Sequence, residues 1–410
     1  MLALLAIRSS GCVQNLGIRW LMSIIPPFTI VTLTVNCPYG RFRSSRNTNS
    51  RPPRSFMKRH FLTLGWTSIL NSPPAVLICG LFATIAAAHA QIRSVTQQPY
   101  PTGGNSVAWI WNVPYVSGGG PQQQLDLYVP TEHKNEPLIV FVHGGGWEHG
   151  DKMGDSLNPN NLQLLWDGYA MASINYRLAA PAAVWPAQIQ DCKAALRWLR
   201  AHAQQYGYDP NRIGVIGESA GGHLVAMLGA TNGDKTFDVG ENLDESSDVT
   251  CVVNLFGIAD FTLPMPAIAT NVKALLGGPA PERPELARSA SPINYVHASQ
   301  PPMLVVHGTA DRLVPYLQAE VLVEAMEKAG APFYFHTVVG GGHNPYFGLT
   351  FNAAAGNFDA GGGGIGLFED PIVEPLIKAF LHHYLLDGRK DLFTGVDVTR
   401  SEGHCRLRPK

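Results

Sequence analysis

Residues 137–142, PLIVFV, form an apolar run without a break. A strand with one wet face alternates apolar and polar residues, so an unbroken run has to be covered on both faces. YAMASINYR (169–177), RIGVIG (212–217) and FYFHTVV (333–339) read as strands too, and CVVNLFG (251–257) and PMLVVHG (302–308) as further buried strands. QLDLYV (124–129) alternates instead, which predicts a half-buried edge strand. Helical patterns lie between these runs. Ile189, Cys192, Leu196, Leu199 and Ala203 recur at steps of three and four, with Asp191, Lys193 and Arg197 off that stripe. Further helices are expected from Ala220 onward, over 315–329 with Pro at the start and Gly330 just past the end, and over 371–386. Strands alternating with helices predict an α/β fold: a mostly parallel central sheet with helices on both faces.

Charge divides the chain unevenly. Residues 1–90 carry nine Lys or Arg and no acid, which leaves 21 basic and 31 acidic residues in 91–410. An acidic body excludes nucleic-acid binding through a basic face. The basic segment reads as a leader. Met57-Lys58-Arg59-His60 has the charge of an n-region, AVLICGLFATIAAA (75–88) is apolar, and Ala88-His89-Ala90 is a small-x-small cleavage site. The expectation is a signal peptide over 57–90, cleavage after Ala90, a secreted or periplasmic product, and a basic extension over 1–56 that is spurious or disordered. Pro and Ser interrupt the apolar stretch too early for a comfortable membrane span, so none is expected after cleavage. Residues 91–387 then form one catalytic domain. Within it, 344–370 is long and Gly-rich, as lids and disordered insertions are. Residues 388–410 read as a surface tail.

The chemistry concentrates at strand ends. VIGESAGGHL (215–224) places Gly-x-Ser-x-Gly between a buried strand and a helix. Alone, that motif is weak in a chain with 42 glycines. Its strand-to-helix context is that of a nucleophile elbow, with Ser219 at the apex. An earlier buried strand ends in HGGGW (143–147), whose glycines free backbone N–H groups to face a carbonyl oxygen. The N–H groups of Gly145, Gly146 and Ala220 are the candidate oxyanion donors. Asp311 follows the strand of 302–308, and His343 follows that of 333–339. The order Ser…Asp…His and the placement at strand C-termini fit an acyl-transfer triad. Asp260, in NLFGIAD, is a rival acid; Asp311 is preferred because the chain after it runs directly into a helix. His143 is read as bracing its loop, and His223 and His307 as packing residues. Trp147, Trp185, Tyr346 and Phe347 are candidate pocket-lining side chains. No His/Cys/Asp cluster has metal-ligand spacing, and the triad needs no cofactor. Three cysteines remain after the leader, too few for a disulfide framework, and Cys192 and Cys251 read as buried thiols.

Several of these segments together are similar to one family. LDLYVP, VFVHGGGWEHGDK, INYRL, WPAQIQDCKAALRWLRAHAQQYGYDPNRIGVIGESAGGHL and PPMLVVHGTADRLVP resemble the BD-FAE-like α/β-hydrolases, the bifunctional feruloyl and acetyl-xylan esterases. The resemblance covers about residues 107–386. It implies an α/β-hydrolase fold, Ser219, Asp311 and His343 as the triad, and Gly145, Gly146 and Ala220 as oxyanion donors. It also implies small esters or acylated polysaccharide as substrates. The elbow and HGGG alone also fit esterases of the hormone-sensitive-lipase type. A prolyl-oligopeptidase-type peptidase shares the triad order but carries an extra N-terminal domain, and about 16 residues between Gln91 and the first strand leave no room for one. A catalytically idle carbohydrate-binding scaffold is the remaining alternative, and an intact triad argues against it. Oligomeric state is not legible.

Overall fold

The structure is a computed structural model of the chain. It describes residues 18–25, 28–35, 92–95, 107–132, 134–156, 163–344, 350–352, 357–359, 365–395 and 405–407. The leader at 57–90, Tyr346, Phe347 and most of the 344–370 stretch lie outside the described residues. Two units are distinguished. Met1–Asn71 contains an antiparallel strand pair, Ile18–Ile25 with Phe28–Val35. Ser72–Lys410 contains the α/β fold.

Eight strands build its sheet: β1 (Val107–Pro114), β2 (Gln124–Pro130), β3 (Glu136–Val142), β4 (Ala170–Ile174), β5 (Tyr208–Glu218), β6 (Cys251–Leu255), β7 (Met303–Gly308) and β8 (Phe333–Val338). Their spatial order is β1-β2-β4-β3-β5-β6-β7-β8, with Ile92–Val95 added beside β1 and Cys405–Leu407 beside β8. From β4 to β8 every pairing is parallel, while β1, β2 and β4 pair antiparallel. The unbroken apolar runs have the cause the sequence suggested. In β3, Leu138, Val140 and Val142 join one core cluster while Ile139 and Phe141 join the other, each 2% exposed or less. Met303 and Val305 alternate with Leu304 and Val306 across β7 in the same way.

Among the described residues the α-helices of seven residues or more are α1 (Ala187–Ala201), α2 (Ala220–Ala230), α3 (Ala269–Leu276), α4 (Pro284–Ala290), α5 (Leu317–Ala329) and α6 (Val373–Leu381). Buried residues of α1, α2 and α5 belong to the first cluster, and those of α6 to the second, so both faces are covered. Two boundaries differ from expectation. Helix α5 begins at Leu317, two residues beyond Pro315, and α6 ends at Leu381, where a π-helical turn continues to Leu386. Gly330 closes α5 in the left-handed conformation, φ 74°, as a C-terminal glycine does. Among the described residues no helix is long and apolar enough to cross a membrane. Cys192 and Cys251 are buried free thiols.

Candidate active site

Strand β5 runs into α2 through a single residue. Ser219 has φ 52° and ψ −117°, a backbone conformation that L-residues rarely adopt and that costs about 1–3 kcal/mol. Its N–H donates to the Leu255 carbonyl at 3.0 Å, which holds the turn against β6. The strain lifts the side chain out of the sheet, and Ser219 and Glu218 stay partly exposed while α2 from Ala220 onward is buried. The first turn of α2 packs against the end of β3. A Cβ on Gly221 would overlap the carbonyl oxygen of Val142 and lie 2.7 Å from that of His143.

His343 and Asp311 reach Ser219 from two strand-end turns that are bonded to each other. Thr309 N–H donates to Val338 O at 3.0 Å, Ala310 N–H to Gly341 O at 2.8 Å, and Gly340 N–H to Thr309 Oγ1 at 2.9 Å. The chain returns to the same place after the Gly-rich stretch. Gly342 N–H donates to Ile365 O at 2.7 Å, Ile365 N–H to Gly340 O at 2.9 Å, and Leu367 N–H to Asn344 O at 2.9 Å. His343, 9% exposed, places Nε2 2.8 Å from Ser219 Oγ and Nδ1 2.7 Å from Asp311 Oδ2. The Phe256 ring meets its imidazole edge-on at 4.7 Å. Asp311 Oδ1 accepts the N–H groups of Leu313 and Val314, both at 2.9 Å. Burial pushes the Asp311 carboxyl up, but the imidazoles of His343 and His307 against it outweigh that and hold it down at about 2. Asp311 is therefore an anion throughout the pH range of ordinary assays. An anion accepting from Nδ1 leaves Nε2 bare toward the serine hydroxyl, the tautomer a general base requires.

Asp260 does not join this group. Its Oδ1 accepts both the N–H and the hydroxyl of Thr262, at 2.8 and 2.6 Å, which makes it a local turn residue. Replacing Asp311 by Asn is expected to lower kcat about 10⁴-fold with the fold intact, because the amide favours the wrong imidazole tautomer. Asp260→Asn should stay near the parent rate. Steady-state hydrolysis of p-nitrophenyl acetate by the two variants separates the acids.

The loop after β3 starts beside the elbow, where a Cβ on Gly144 would lie 3.1 Å from the Glu218 carbonyl oxygen. Gly145 and Gly146 have φ of 102° and 60°, which turns their peptide groups in a way a side chain would oppose. Among the described residues no backbone acceptor takes the N–H of either glycine. The Ala220 N–H begins α2, where the first donors have no partner within the helix. Asn271, from α3, lies against the Gly146 Cα and donates its amide to Glu148 Oε2 at 2.8 Å, which braces this loop from the β6–β7 excursion. His143 donates from Nδ1 to Gly144 O at 2.8 Å and stacks on Tyr176 at 4.3 Å, supporting the loop from below.

Two pocket candidates are corrected by the structure. Trp147 and Trp185 are 0% and 1% exposed and present no surface to a substrate. Trp147 has φ 61°, and its indole N–H donates to His223 Nδ1 at 3.1 Å. Trp185 donates to Ser289 Oγ at 3.0 Å and packs on the same His223 ring at 5.3 Å. His223 bonds through Nε2 to Ala290 O at 2.8 Å, and burial pushes its imidazole down to about 3, so it is a neutral core residue under the elbow. Sequence reasoning named neither Asn271 nor Glu148. Glu148 directly follows HGGGW, which was the available signal; Asn271 had none.

An open sheet in this strand order, an elbow serine after β5 and an acid and a histidine after β7 and β8 define an α/β-hydrolase. Residues 125–326 match the BD-FAE family model. Among solved structures, it is 35% identical to a truncated carbohydrate esterase from gut microbiota, with TM-score 0.55, covering 61% of this chain and 92% of that one. It is 32% identical to a bifunctional GH43-CE protein of Bacteroides eggerthii, with TM-score 0.54, covering 60% of this chain and 36% of that one. Among curated proteins, it is 36% identical to Esterase LipC of Mycobacterium tuberculosis over 51% of this chain and 53% of that one. The chain spans about half the length of the first curated relatives it matches.

Proposed function

We propose that the protein is a serine carboxylic ester hydrolase acting on short acyl esters, with acylated polysaccharide as the preferred alcohol component. The single observation that carries the reaction is the unbroken hydrogen-bonded chain from Ser219 Oγ through His343 to Asp311. His343 Nε2 takes the Ser219 proton as Oγ attacks the ester carbonyl. Asp311 orients the imidazole and stabilises the imidazolium. The N–H groups of Gly145, Gly146 and Ala220 receive the developing oxyanion, each donor being worth about 3 kcal/mol. His343 then protonates the leaving alcohol, and water repeats the cycle on the acyl-enzyme. Because the base must be neutral and Asp311 is ionised far below, kcat/KM should fall on the acid side with one ionisation.

The substrate class rests on the family, whose resemblance implies feruloyl and acetyl-xylan esters, and on the carbohydrate esterase named above. A panel of p-nitrophenyl esters of rising chain length, with methyl ferulate and acetylated xylan, tests it. The expected result is highest kcat/KM on the acetyl ester and release of acetate from acetylated xylan. Rates that rise with acyl length, with acetylated xylan untouched, would instead identify a general esterase of the hormone-sensitive-lipase type.

A further inference from the structure

His307 is the buried imidazole that the triad leaves unused. It lies in the last turn of β7, four residues before Asp311, and is 0% exposed. Its Nε2 is 3.0 Å from the Val314 carbonyl oxygen and 3.2 Å from Asp311 Oδ2. A nitrogen between two acceptors has to carry the proton. Nδ1, on the opposite side of the ring, is buried with no hydrogen-bond partner among the described residues. A proton there would be a buried donor with nothing to meet it, so the Nε2–H tautomer is the one that fits the surroundings. Asp311 Oδ2 thus has two imidazoles beside it: it accepts from His343 Nδ1 at 2.7 Å, and His307 Nε2, whose hydrogen bond goes to Val314 O, lies 3.2 Å away.

We propose that His307 is a positioning residue of the triad: anchored by Nε2–H to the Val314 carbonyl, it sets the positive edge of that N–H beside Asp311 Oδ2, which draws charge from the carboxylate and limits how tightly Asp311 holds a proton on His343. The proposal rests on the reading of Ser219, His343 and Asp311 as a triad. The titratable groups that face the pair are His343, from the turn after β8, and Tyr316, whose ring meets His307 at 5.8 Å while its hydroxyl bonds Thr337 Oγ1 at 2.6 Å. Phe256 closes the remaining side, with its ring 6.5 Å from that of His307. The carboxylate is 0% exposed, so protein donors decide where its charge sits.

The test compares His307→Phe, which keeps a ring and removes both nitrogens, with His307→Gln, whose amide N–H reaches toward the same oxygens. In His307→Phe, the charge on Oδ2 falls to His343 alone. The acid limb of kcat/KM should move up by about half a pH unit, because a nearby anion favours the imidazolium. kcat should drop about tenfold with KM little changed, since orientation is lost and not binding. His307→Gln should restore both. The His343 titration, followed by NMR in a Ser219→Ala background, should show the same upward shift without any turnover. His307→Leu serves if the Phe variant does not fold. An unmoved His343 titration in the nitrogen-free variant, or a Gln variant as impaired as Phe, would overturn the proposal and leave His307 a packing residue. A parent chain that hydrolyses no ester, while His307→Phe still shifts the His343 titration in the Ser219→Ala background, would refute the esterase reading and support the role of His307.

Discussion

Replacing Ser219 by Ala is expected to lower kcat on p-nitrophenyl acetate about 10⁴-fold or more, equivalent to about 5.5 kcal/mol of transition-state stabilisation. The magnitude follows from the geometry. His343 Nε2 faces one hydroxyl, at 2.8 Å, and without it the imidazole can only activate water that the site does not position. The oxyanion donors remain in the variant, so a residual rate above that in water should survive. The change is local, because the unusual backbone at φ 52° is imposed by the Leu255 bond and the packing of α2, not by the hydroxyl. Thermal unfolding should therefore stay close to that of the parent, and labelling by a fluorophosphonate probe should disappear. A Ser219→Ala chain that still released p-nitrophenol far above background would sink the mechanism.

The second large effect is expected on stability. Gly221→Ala puts a methyl group onto the Val142 carbonyl oxygen and within 2.7 Å of the His143 carbonyl oxygen. Both are backbone atoms at the end of β3, which is held between β4 and β5 by parallel ladders. No flexible side chain can yield there, so α2 or the strand end has to move. A loss of about 3 kcal/mol or more is expected, at the upper end of overpacking effects. The displaced loop is the one carrying Gly145 and Gly146, and a misplacement near 1 Å can lower the rate about 10²-fold. Urea unfolding reads the first effect as a lower midpoint at constant slope. Gly154→Ala is the control, since nothing lies within 4 Å of its Cβ position. Equal midpoints for Gly221→Ala and the parent would show that the elbow is not packed this closely.

Much of the sheet was legible because burial on both faces leaves a direct trace. Val140 and Phe141 point to opposite cores, and no polar residue fits either position. The triad members were legible for a related reason: each follows such a run, and strand ends are where side chains of a parallel sheet converge. Other features were not. Trp147 stands in the HGGGW motif, yet it and Trp185 both pack on His223, a residue distant in the chain, and on Phe261 and Phe237 respectively. Helices α3 and α4, of eight and seven residues, are too short for a periodic signal. Asn271 therefore carried no mark of its contact with Gly146. The second imidazole beside Asp311 was equally hidden, since His307 comes near it through a turn and not along a regular element.

The three hydrogen bonds that join Gly340, Gly342 and Asn344 to Ile365 and Leu367 act as a knot at the neck of an excursion. Chain length added or removed beyond that knot does not have to be absorbed by the turn that presents His343. Loop closure costs grow only slowly with length once the ends are fixed. His343 is thus held on the near side of the neck, which makes the neck a natural splice point. Exchanging the intervening stretch there is expected to leave the hydrogen bonds of His343 to Ser219 and Asp311 in place.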